Sequence, residues 1–181
     1  MPALKHLRAV LALPFSAIVI VPVILLSVAR PARFGWELPP PIGLVAVVAS
    51  AALIGGGIAL MVWTNLLFDR IGGGTLAPWD PTRRLVVHGV YRHVRNPMIT
   101  GVFCILLAEA VLFASAPLLL WFVAFVCVNL LYIPLVEERS LEARFGDEYR
   151  AYKTHVPRWI PRRRAWTTEV EAWGRDRVSR D

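Results

Sequence analysis

Two short polar segments carry most of the side chains that could do chemistry. The first is His88-Gly89-Val90-Tyr91-Arg92-His93-Val94-Arg95-Asn96-Pro97, which abuts an apolar run starting at Met98. The second is Glu137-Glu138-Arg139, at the end of the last apolar run. Ionisable groups near membrane depth are costly to place there and usually mark a site. Pro97 suits the first position of a helix, where no N–H donor is needed. Asn96 is positioned to cap that helix, and the free N–H groups of a helix start attract anions. Arg95 could hold a carboxylate or a phosphate. Its ordinary alternative is a basic residue reaching back to lipid headgroups.

Glu137 and Glu138 could accept hydrogen bonds from ribose hydroxyls or face a cation. Their ordinary alternative is ion pairing with Arg92, Arg95 or Arg139, although surface pairs contribute little. Tyr91, Phe145, Tyr149 and Tyr152 could stack on a base or sit against a sulfonium. Each would equally suit an interfacial aromatic belt, and Trp159, Trp166 and Trp173 read as belt or tail residues. Glu109 lies inside an apolar run. The expected role is structural, with its carboxyl bonded to Asn65, Asn129 or a backbone carbonyl.

Composition dictates how these groups are presented. The chain has 181 residues, is 56% hydrophobic and has mean hydropathy +0.54. That exceeds the roughly 45–50% apolar content of ordinary soluble domains and indicates an integral membrane protein. The net charge of +7 fits anionic headgroups better than nucleic acid, because the basic residues flank apolar runs. Cys104 and Cys127 lie inside apolar runs and read as inert packing residues, neither a disulfide framework nor a metal site. The first apolar run lacks a clear cleavage site and reads as a membrane helix rather than a removable signal.

A bilayer core of about 30 Å needs roughly 20 apolar residues in a helix. Four candidates meet or approach that length: Ala9 to Ala29, bent by Pro14 and Pro22; Ile42 to Phe68; Met98 to Ala114; and Leu118 to Val136. Gly55-Gly56-Gly57 permits a close helix approach or a kink in the second. Ser115-Ala116-Pro117 allows only a tight turn between the third and fourth. Lys5, Arg8, Arg70, Arg83, Arg84, Arg92 and Arg95 lie on one side, with eleven basic residues from Arg139 to Arg180. This bias predicts both termini and the loop Asp69 to Asn96 on the cytoplasmic face, against the mild exception of Arg30 and Arg33. Both polar segments would then share one side. After Glu138, the spacing of Leu141, Phe145 and Tyr149 predicts one amphipathic helix ended by Pro157 and Pro161. The tail from Arg162 reads as charged and loosely ordered. Three regions result: residues 1–69 with two membrane helices, 70–161 with the candidate site, and a 162–181 tail. Gly72-Gly73-Gly74 follows a membrane segment and is no dinucleotide fingerprint.

Gly89-Val90-Tyr91 through Arg95-Asn96-Pro97, then Gly101, resembles the G-x-Y-x-x-x-R-H-P or R-N-P motif of isoprenylcysteine carboxyl methyltransferases and related phospholipid methyltransferases. Glu137-Glu138, Leu141, Phe145-Gly146-Asp147-Glu148-Tyr149, Tyr152 and Val156-Pro157 resemble that family's second block. The resemblance covers about Gly72 to Pro161. It implies an all-α integral membrane protein that transfers a methyl group from S-adenosylmethionine to a lipid-like or other membrane-partitioning acceptor. By position, it implies cofactor contacts from Arg83, Arg84, Leu85, Val86, Tyr91, Asn96, Pro97, Met98, Ile99, Glu137 and Glu138. Arg95 and Glu137 would be the catalytic pair. No metal is implied, nor any nucleic acid. A multi-pass protein of a bacterial inner membrane is the expected setting.

Three departures bear on the acceptor. Asn96 stands where prenylcysteine enzymes carry His, Ile99 where many members carry Tyr, and Ile133 where an Arg serves the substrate carboxylate. These argue against a prenylcysteine and leave a lipid, amine, thiol or small carboxylate open. Two other readings remain at this level. One is a sterol-reductase-like oxidoreductase using NADPH, with Arg83 and Arg84 on the 2′-phosphate. The other is a non-catalytic membrane scaffold of the same fold.

Overall fold

The structure, a computed structural model, describes residues 14–28, 39–72 and 84–167. All regular structure among these residues is helical. Helix α1 spans Ser16–Val28 and α2 spans Ile42–Ile71. Helix α3 spans Pro97–Leu112, α4 spans Ala116–Phe145 and α5 spans Asp147–His155. Among the described residues, only α2 and α4, each 30 residues, have the length and apolarity to cross a membrane unaided, while α1 and α3 are shorter apolar helices. The expected four full spans are therefore two long helices with two shorter ones packed beside them. The N-terminal part of the first expected span, including Ala9, lies outside the described residues.

Proline shapes two of these helices. Pro134 lacks an N–H, and its ring would clash with the carbonyl four residues back. The chain widens into a π turn over Ile133–Glu137, where the Glu138 N–H donates to the Ile133 carbonyl. Helix α4 therefore continues past Val136, its expected end, and carries both glutamates to Phe145. A similar π turn over Ser16–Ile20 precedes Pro22 in α1. Such one-residue expansions rephase a helix face without ending the helix.

Small residues set the packing of α2 on α3. Its buried positions are Gly43, Ala46, Ser50, Gly57 and Thr64, a small-residue stripe on a helix that is apolar all round. A Cβ on Gly57 would lie 2.6 Å from the Gly101 carbonyl, and one on Gly101 would lie 2.7 Å from the Gly57 carbonyl. The two backbones touch there. Gly55 and Gly56 have open space beside them, so only one glycine of the triplet makes the close approach.

Helix α3 turns into α4 through Phe113-Ala114-Ser115, with Ala114 at φ 44°. The turn is thus two residues earlier than expected, and Ala116 and Pro117 begin α4. Helix α1 leans on α4, where the Trp121 indole N–H donates to the Ala17 carbonyl at 3.0 Å.

Gly146, at φ 55°, splits the expected amphipathic helix in two. Its N–H still caps α4 through the Glu142 carbonyl at 2.9 Å, and α5 departs in a new direction. Leu141 and Phe145 at the end of α4 nevertheless meet Tyr149 and Tyr152 of α5 and Val156 just after it in one apolar cluster, joined by Leu85, Val87 and Trp166.

Candidate functional site

The two polar segments meet. Pro97 starts α3, and the Arg95 side chain just before it reaches Glu138 on α4, with Nη1 donating to Oε1 at 2.8 Å. Arg158 completes the cluster, donating through Nε at 2.7 Å and Nη2 at 2.9 Å to the two Glu138 oxygens. The Arg95 and Glu138 side chains are only 9% and 8% exposed. Ion pairing, the ordinary alternative weighed for the glutamates, is therefore the state of Glu138. Arg95 retains a buried Nε with no acceptor among the described residues.

Glu137 differs from its neighbour. It is half-buried, and no cation or donor among the described residues pairs with its carboxylate. Tyr91 is buried nearby. Burial, with Tyr152 and the Glu137 charge adding, holds the Tyr91 phenol well above its usual range. Phe68, in the last turn of α2, packs edge-on against Tyr91 at 5.3 Å. The Tyr152 hydroxyl donates to the Tyr91 carbonyl at 2.8 Å. Burial raises the Tyr152 phenol as well, and pushes Tyr149 up to about 12 with the Glu138 charge contributing. Tyr91, Tyr149 and Tyr152 are therefore neutral, ordered groups at physiological pH.

Asn96 does not cap α3. It has no side-chain cap bond, and its Nδ2 donates instead to the Arg158 carbonyl at 3.3 Å. With Pro97 lacking an N–H, the first turn of α3 keeps backbone donors free of any side-chain cap. Pro97 and Met98 are buried and Ile99 is half-buried. On the approach to the motif, Arg84 is exposed, Leu85 half-buried and Val86 buried. Arg83 lies outside the described residues. Among the described residues, no group of His, Cys, Asp and Glu has the arrangement of a metal site.

One component escaped the sequence reading. Residues 156–167 form a strap along the motif. The Arg95 N–H donates to the Pro157 carbonyl at 3.0 Å, the Arg162 N–H to His93 at 3.0 Å, and the Trp166 N–H to Arg92 at 3.0 Å. His93 Nδ1 also lies 2.8 Å from the Arg162 carbonyl. Trp166 stacks on His155 with a 13° interplanar angle, and Trp159 stacks on Phe103 at 5.4 Å. The tail from Arg162 is thus ordered as far as it is described, and both tryptophans are packed rather than free. Contacts between residues some 60 positions apart leave no periodic signal. The run Val156-Pro157-Arg158, three residues with an arginine after a rigid turn, is the only local hint.

Glu109 is not bonded to the expected partners. Asn65 donates to Met61 and Asn129 to Phe125, each within its own helix at 2.8 Å. Glu109 Oε2 is buried without a partner among the described residues. Neither cysteine forms a disulfide, and Cys127 is exposed on α4 rather than packed.

An all-helical apolar scaffold holding a buried charged cluster at a helix start is the make-up of a membrane protein with a charged polar end. The Phospholipid methyltransferase family model matches residues 45–148. That is more than half of the chain, which therefore belongs to this family, one of membrane methyltransferases. The match begins inside α2, earlier than the motifs alone indicated, and stops before Tyr149, Tyr152 and the strap. Searches of curated proteins and of solved structures return no match.

Proposed function

We propose that the chain transfers a methyl group from S-adenosylmethionine to a lipid-like acceptor at the membrane–water boundary. The observation that carries this reading is the meeting of Arg95-Asn96-Pro97 with Glu137-Glu138, two family motifs 43 residues apart in the 2.8 Å bond from Arg95 to Glu138.

The donor set suits such a cofactor. The orphaned Arg95 Nε and the uncapped start of α3 fit a carboxylate, as helix starts commonly do. The Glu137 carboxylate, without a partner among the described residues, fits ribose hydroxyls or the neighbourhood of a cation. Leu85, Val86, Pro97, Met98 and Ile99 supply apolar walls, Arg84 borders them, and Tyr91 and Asn96 line the turn between. When bound, S-adenosylmethionine supplies an electrophilic methyl group on a sulfonium. The protein then needs to align and desolvate more than to donate or accept a proton, so positioning supplies much of the rate. Glu138 does this indirectly by fixing Arg95. Arg95 and Glu137 are the residues assigned to the reacting end. The acceptor enters laterally between the helices, and the Lys and Arg bias supports a cytoplasmic position for this end.

Purified protein in detergent, given methyl-labelled S-adenosylmethionine and a panel of phospholipid, amine and thiol acceptors, should move label into one acceptor class. Glu137→Gln should lower the rate about tenfold or more, the range for losing a hydrogen bond to a charged group. An unchanged rate in that variant would remove Glu137 from the site.

A further inference from the structure

Ile160 is out of place for a residue in a loop. It is 80% exposed, the highest value among the large exposed apolar side chains. All the others among the described residues lie in or at the ends of α1 to α4, where an apolar surface faces lipid. Ile160 alone belongs to the strap. One exposed apolar side chain is ordinary by itself; what this one faces follows from its neighbours on the ordered strap.

The depth of the strap says what that is. Trp159, the preceding residue, stacks on Phe103 at 5.4 Å. Phe103 follows Pro97 by six residues, so it sits about 9 Å down the axis of α3 at the standard helical rise. It also packs against Phe125 of α4 at 6.1 Å. The strap therefore dips beside the apolar part of the bundle rather than standing above it. Its charges are of one sign: residues 156–167 carry Arg158, Arg162, Arg163 and Arg164 and no acidic residue. Arg158 is committed to Glu138, and Arg162 Nη1 to the His155 carbonyl at 2.8 Å. Arg163 and Arg164 are exposed, and no carboxylate among the described residues pairs with them.

We propose that the strap is a docking surface for anionic lipid, with Ile160 in the acyl–headgroup boundary and Arg163 and Arg164 on the headgroups. An apolar side chain beside exposed arginines that meet no carboxylate among the described residues, at the depth where the apolar span ends, matches the layering of an anionic leaflet. Because the strap is bonded to Arg92, His93, Arg95 and Asn96, lipid held there also bears on the turn that begins α3.

The test uses full-length protein in nanodiscs, with Cys104 and Cys127 replaced by alanine and a fluorophore on Ile160→Cys. Glu148→Cys, exposed on α5, serves as the aqueous control. Lipids spin-labelled near the headgroup should quench the fluorophore at 160 at least twofold more than at 148. Spin-labelled phosphatidylglycerol should quench more than spin-labelled phosphatidylcholine at low salt, and Arg163→Gln with Arg164→Gln should equalise the two. Quenching at 160 no greater than at 148 would overturn the membrane contact. Equal quenching by both lipids in the unsubstituted strap would overturn the choice of anionic lipid. Neither result depends on the methyltransferase reading.

Discussion

At the scale of residues, adjacent glutamates take different roles. The Glu138 carboxylate is almost fully buried between two arginines, and removing one member of a buried charge cluster strands the others. Glu138→Ala should therefore lower stability by about 3 kcal/mol or more, read as a fall in the thermal midpoint in detergent. Glu137 has no such partner among the described residues, and Glu137→Gln should leave that midpoint nearly unchanged while weakening cofactor binding. The tyrosines add a pH signature. Tyr91, Tyr149 and Tyr152 all have phenols raised by burial, Tyr149 to about 12. Folding thus favours their neutral forms. The associated stability is fully present below the ordinary tyrosine range near 10 and is lost as pH rises through the raised values. Stability should be flat with respect to these groups up to about pH 9 and decline above about pH 10, and absorbance titration should show the three phenols ionising late or only on unfolding. That Arg95, Asn96, Pro97, Glu137 and Glu138 share one side is legible from the position of the two polar segments at the same end of a predicted helical hairpin. The choice of Arg158 as the second partner of Glu138 is not, because it depends on a chain reversal that Gly146 and Pro157 produce together.

At the scale of elements, the α2–α3 contact depends on side chains that are missing. A methyl group on Gly57 would meet the Gly101 carbonyl at 2.6 Å and Ile105 at 2.7 Å, whereas one on Gly55 would meet nothing within 4 Å. Gly57→Ala should destabilise by about 1–3 kcal/mol through overpacking. Gly55→Ala should be neutral or mildly stabilising, by up to about 1 kcal/mol. Denaturation of the two variants in the same detergent separates them. The glycine triplet is compatible with either a close approach or a kink, and apolar run lengths place α2 and α3 to within a few residues. The sequence alone does not choose among the three glycines, since an all-apolar helix offers no polar face to set its rotation. The π turn at Pro134 was hidden for a related reason. A proline in an apolar run predicts disturbance, and only the geometry shows that α4 absorbs it and continues.

At the scale of the whole molecule, the tight turn at Phe113-Ala114-Ser115 sends the chain back, so α3 and the apolar part of α4 share one thickness. At the standard rise, the 16 residues of α3 cover about 24 Å, short of the roughly 30 Å core. The Arg95 cluster is therefore drawn toward the bilayer surface, which under the proposed function would let a membrane-borne acceptor and a water-borne cofactor both reach it. In sealed vesicles of the Cys104→Ala, Cys127→Ala background, Ala114→Cys and Glu148→Cys should be labelled by an impermeant maleimide from opposite sides. Labelling of both from the same side would overturn this arrangement. The membrane class was plain from composition, whereas the number of full crossings was not, because run length alone does not distinguish a spanning helix from a short one sheltered by neighbours.

The central claim is that this polar end binds S-adenosylmethionine, and calorimetry on the detergent-purified full chain tests it most directly. S-adenosylmethionine and S-adenosylhomocysteine should both bind at one site per chain, with NADPH giving no heat. Binding of NADPH alone would move the protein to the reductases, and binding of none of the three would contradict the account and leave the fold as a scaffold.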